Sequence, residues 1–85
     1  MPESLPVSFS TFIVSLASSA MVNLGETPDP SSGATAQDLA LARNSIDLIA
    51  MLKEKTKGNL SAEESELLES LLYDLRMRFV QAQKG

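Results

Sequence analysis

Between Ala62 and Gln83 the chain sets Leu67, Leu68, Leu71, Leu72, Leu75, Phe79 and Ala82 at spacings of three and four, the interval at which an α-helix brings side chains back to one side. Nothing else constrains the fold as strongly, because the same interval recurs in two earlier segments. Phe9, Phe12, Ile13, Leu16, Ala20 and Leu24 predict one helix face turned to a core. Leu39, Leu41, Ala42, Ile46, Leu48, Ile49 and Leu52 cover about half the circumference of another helix, a stripe broad enough to call for more than one neighbour. The expectation is an all-α fold of three helices, over about 9–24, 36–56 and 62–83, in one domain spanning residues 1–85.

The punctuation between the segments agrees with that division. Ser8 can cap the first helix and Gly25 can end it. The stretch GETPDPSSGATA holds Pro28, Pro30 and Gly33, and a proline lacks the donor a helix needs, so residues 25–35 form a long loop. Thr35 with Asp38 reads as a capping box for the second helix, with Asp in place of Glu. Gly58 ends that helix, and Ser61 with Glu64 is the capping box of the third. Only a few residues lie between them, so the second and third helices should form an antiparallel hairpin. Glu63, Glu64 and Glu66 near the start of the third helix and Arg76, Arg78 and Lys84 near its end follow the helix dipole, and Asp74 with Arg78 is an i,i+4 pair.

An 85-residue chain buries only about 60–65% of the surface its unfolded form exposes, so a domain this small needs help from disulfides, a metal or association. The sequence contains no cysteine and no histidine, which removes disulfides, thiolate metal sites and the commonest transition-metal ligand. Association remains. The hydrophobic fraction of 44% is that of a chain that folds. A net charge of −4 argues against a nucleic-acid partner, since such binding draws on cations set against phosphates.

Chemistry is sparse as well. Acid–base or nucleophilic catalysis would have to come from Asp, Glu, Lys, Ser or the single Tyr73, perturbed inside a pocket that three short helices hardly enclose. No enzyme is expected, and no cofactor or metal is implied. The glutamates from Glu63 to Glu69 lack the Glu-x-x-His element of a helical-bundle metal site and read as a solvated first turn. Lys53, Lys55 and Lys57 before a short turn invite a helix-turn-helix reading, but Glu63, Glu64 and Glu66 would then face the phosphates. Ser31-Ser32-Gly33 has no accompanying phosphate-loop lysine. The N-terminus, MPESLPVS, lacks the basic region of a secretory signal, so the expected location is cytoplasmic.

The first helix raises the sharper question, because SFSTFIVSLASSAMVNLG contains no charged side chain. Its apolar-periodic part is about 16 residues, near 24 Å, against a hydrocarbon layer of about 30 Å, so it is too short to span a membrane. An interfacial helix would carry Lys or Arg. A packing role fits better: Thr11, Ser15, Ser18 and Val22 form a second stripe of small residues opposite the Phe9/Leu16 side, and small residues allow close helix approach. Tyr73, Met77 and Val80 form a surplus stripe on the third helix. These seven residues are the candidate protein interface. Its expected occupant is a second copy of the chain, a homodimer, or else another protein. The alternatives are that the loop and the LPVS segment fold back over the stripes, or that the first helix rests on a membrane surface.

The stretches FSTFIVSLASSA, LGETPDP and IDLIAMLKEKTKGNLSAEESELLESLLYDLRM closely resemble a bacterial family known as domain of unknown function 1844, over about residues 9–80. The pairing of KTKGNL with LLYDLRM is the specific part. The resemblance implies a small, mostly helical protein. It implies no activity, cofactor or ligand residue.

Overall fold

The computed structural model describes residues 8–84. They form three helices, α1 (Phe9–Asn23), α2 (Leu39–Lys55) and α3 (Ala62–Lys84), packed against one another. Of the described residues 71% are helical, and none of them lies in a strand.

The ends of α1 are closed by local chemistry. The Ser8 hydroxyl accepts the Thr11 N–H at 3.0 Å, satisfying a donor that the first turn leaves orphaned. At the other end Gly25 takes φ +81, its N–H donates to the Val22 carbonyl, and the Glu26 N–H donates to the Met21 carbonyl, both at 3.0 Å. This pair of bonds is a Schellman motif, and it needs the left-handed backbone that glycine adopts most cheaply. At α3 the capping box forms in both directions. Ser61 N–H donates to Glu64 Oε1 at 2.9 Å, and Glu64 N–H donates to the Ser61 hydroxyl at 3.1 Å.

The start of α2 differs from the sequence-based expectation. The helix begins at Leu39, not near 36, and its cap is Asp38, whose carboxylate accepts the Leu41 N–H at 3.1 Å. The reason is tertiary. Asp38 donates its own N–H to the Asn23 carbonyl at 2.7 Å, and the Gln37 side chain donates to the Leu24 carbonyl at 3.3 Å. The two residues close the C-terminal end of α1, which keeps them from starting a helix of their own.

The core joins Ile13, Ala17, Ala20 and Leu24 of α1 and its cap to Ala42, Ile46 and Ile49 of α2 and Leu68, Leu72 and Leu75 of α3. Phe12 is not part of it and is 51% exposed. The buried line of α1 follows the alanines, because a small side chain on each helix lets the α1 and α2 backbones approach closely. Two members of the broad α2 stripe, Leu41 and Leu48, turn outward, as does Met51 beside them. The third helix holds as read, with Leu67, Leu71, Phe79 and Ala82 packed at the rim of the core. The α2–α3 pair is antiparallel: Lys53 and Glu54 share a cleft with Ser65 and Glu69, and Arg43 and Asp47 share one with Arg76 and Gln83. The described structure is flattened, 37 × 34 × 16 Å, so each helix keeps an outer side that no other helix covers.

Candidate interaction surface

The seven candidate residues lie away from the core, on two helices. Within α1, Thr11 is half-buried and its hydroxyl is hydrogen-bonded to that of Ser8 at 2.7 Å, while exposed Ser15 donates its hydroxyl to the Phe12 carbonyl at 2.7 Å. Hydroxyls satisfied inside their own turn can be covered or left wet at little cost. Ser18 is exposed and Val22 half-buried. Both line a shallow groove of about 290 Å³ with Asp29 and Pro30 of the following loop. The loop therefore flanks the C-terminal half of the stripe, while its N-terminal half stays open beside exposed Phe12 and Val14. The other proposed cover, Leu5 to Val7, lies outside the described residues.

The loop is ordered by its own bonds. Both the N–H and the hydroxyl of Ser31 donate to Asp29 Oδ1, at 2.8 and 2.7 Å. Gly33 N–H donates to the Asp29 carbonyl at 2.7 Å. The Ser31 hydroxyl, followed by its backbone N–H, holds the Asp29 carboxyl below its ordinary pKa, because these donors favour the charged form.

On α3, Tyr73 is 70% exposed, Met77 48% and Val80 47%. They share the side of the helix opposite Leu68, Leu72 and Leu75, so α1 and α3 present two surfaces. A third surface, Leu41, Leu48 and Met51 on α2, was not singled out as an interface by sequence reasoning. Its signal is present in the width of the α2 stripe, which asks for a second neighbour that the described residues do not supply at Leu41 and Leu48.

Polar contacts across the fold are few. Arg78 is the main one, donating Nε to Asp74 at 2.8 Å and Nη1 to Glu26 at 3.1 Å. The Asp74 hydrogen bond and charge, with Glu26 behind them, push the guanidinium further above its usual range. This ties the segment after α1 to α3. The Arg43–Asp47 pair, 3.8 Å apart and well exposed, contributes little.

Two further clefts, about 340 and 430 Å³, lie open along the α2–α3 pair. Among the described residues no three His, Cys, Asp or Glu side chains gather where a metal ion could sit. Among them, too, no helix is long and apolar enough to cross a membrane. What the geometry does provide is a three-helix scaffold with exposed apolar and hydroxylated helix sides. The chain belongs to the family described as Domain of unknown function (DUF1844), whose model matches residues 6–81. Neither a curated protein nor a solved structure matches it.

Proposed function

We propose that this chain is a non-catalytic protein–protein interaction or regulatory module of the bacterial cytoplasm, and that it associates with itself through the outer sides of α1 and α3. One observation carries the reading. Phe12 and Val14 on α1 and Tyr73, Met77 and Val80 on α3 stand between 44% and 70% exposed, apolar area that association would remove from water.

Sedimentation velocity at micromolar concentration tests the reading, with a dimer expected. A strict monomer across the range overturns it. Flotation with neutral vesicles separates it from a peripheral membrane protein: a plain dimer stays with the soluble fraction, and a lipid binder rises.

A further inference from the structure

We propose that the seat of self-association is the outer side of α3, and that two copies pair along it antiparallel, about a twofold axis passing near Leu75. This rests on the self-association reading above and gives it a geometry. Glu66, Ser70, Tyr73, Met77, Val80 and Lys84 follow one another at spacings of four, three, four, three and four, on the side away from the buried Leu68, Leu72 and Leu75. An alternation of three and four sustained along a helix is the seam of a coiled coil, in which successive positions form layers with a partner helix. Here the seam faces water in the monomer.

The ends of the seam choose the orientation. In an antiparallel pair centred near residue 75, Glu66 of one copy lies opposite Lys84 of the other, Ser70 opposite Val80, and Tyr73 opposite Met77. Because a twofold contact is isologous, each of these layers occurs twice. The charged outer layers are then two Glu–Lys pairs around an apolar centre, in which Tyr73 meets a methionine sulfur it can pack against. A parallel pair would instead set Glu66 on Glu66 and Lys84 on Lys84, with the two helix dipoles aligned. Ser70 is small enough to let the backbones approach to the usual helix spacing. Arg76 stands off the seam, at a groove it shares with Arg43 and Asp47.

The outer stripe of α2, Leu41, Asn44, Leu48 and Met51, has a similar spacing. Its one flanking charge in register, Lys55, has no acidic counterpart on the stripe. That surface selects no orientation, and charge complementarity favours α3.

Sedimentation equilibrium of charge reversals tests the pairing. Glu66→Lys alone and Lys84→Glu alone should each weaken the dimer about tenfold, since each turns two attractive layers repulsive. The double reversal should restore it to within about threefold. Because the chain has no cysteine, a mixture of Glu66→Cys and Lys84→Cys chains in a glutathione buffer should form a mixed disulfide that neither variant forms with itself. Circular dichroism of each variant checks that the helices persist. A dimer indifferent to both reversals, or self-crosslinking of either single variant at the rate of the mixture, overturns the α3 pairing and leaves self-association standing. A monomer at every concentration overturns both.

Discussion

The outer sides of α1 and α3 both lack a neighbour, yet they meet water in different ways. On α1 two of the four stripe residues have hydroxyls that already bond within their own turn, Ser15 to the Phe12 carbonyl and Thr11 with Ser8, and the other two, Ser18 and Val22, lie alongside the loop at Asp29 and Pro30. On α3 the stripe is an aromatic ring, a thioether and a valine between two charges of opposite sign, all three well exposed. The difference teaches that an uncharged helix side need not be an adhesive one. Missing charge on α1 is offset in part by hydrogen bonds inside the helix, whereas the apolar area on α3 is left to water by the described residues.

The hardest blow to this contrast comes from placing a carboxylate on each side in turn. Tyr73→Glu removes the largest apolar group of the α3 seam and buries a charge against Met77 in both halves of the dimer. It should weaken association at least about a hundredfold, the scale on which central aromatic anchors act. The helix itself should persist, since the residue is exposed and Glu is a good helix former. Ser18→Glu on α1 should also weaken the dimer, but by less than about tenfold, because its surroundings are partly its own loop and remain open to solvent. Sedimentation equilibrium of the two variants side by side decides the matter. Equal losses would make the two surfaces equivalent, and a larger loss for Ser18→Glu would reverse them.

A smaller effect separates folding from association on α1. Ser8→Ala deletes both the cap on the Thr11 N–H and the hydroxyl pair with Thr11. It should lower unfolding stability by about 1 kcal/mol, the ordinary worth of such a cap. The dimer constant should hardly move, because the hydroxyls of α1 act on their own helix. Urea denaturation followed by circular dichroism gives the first number and sedimentation the second. A dimer that weakened along with the cap would make the hydroxyl stripe part of the contact.

Much of this architecture is legible along the chain, and the exceptions share a cause. Helix number, the Ser8 cap, the Gly25 stop and the Ser61–Glu64 box are local: the groups that decide them stand within a few residues of one another. The phase of α1 is not local. Its period is readable, and Ile13, Ala20 and Leu24 fall on the expected face, but the helix turns small Ala17 inward and leaves the large Phe12 outside, as close helix packing rewards. The start of α2 depends on bonds from Gln37 and Asp38 back to the end of α1, and the Glu26–Arg78 bridge joins residues 52 apart. Neither leaves a mark in spacing. The candidate interface residues were found by what they lack, charge on α1 and an internal neighbour on α3, and periodicity does show which side of a helix is surplus. It does not show that hydroxyls will bond within the turn or that a loop will flank one of the two sides.

The loop also provides the finest test of the contrast, through pH. Asp29 has its pKa lowered in the folded chain, chiefly by the Ser31 hydroxyl and then by the Ser31 N–H. A carboxyl with a depressed folded value stabilises its surroundings fully above the unfolded pKa, about 3.9, and loses that contribution as pH falls through the folded value. Ser31 protection should therefore stay constant from neutrality to about pH 4 and decline below it, read as amide exchange and shift of the Ser31 resonance by NMR. Asp29→Ala should remove the pH dependence and leave Ser31 unprotected throughout. Neither acid nor the substitution should tighten the dimer if α3 is its seat, because the loop lies along Ser18, Ser19, Val22 and Asn23 of α1. A dimer strengthened by Asp29→Ala at neutral pH would mean that the loop masks the adhesive side of the molecule, and the ranking of the two helices would have to be inverted.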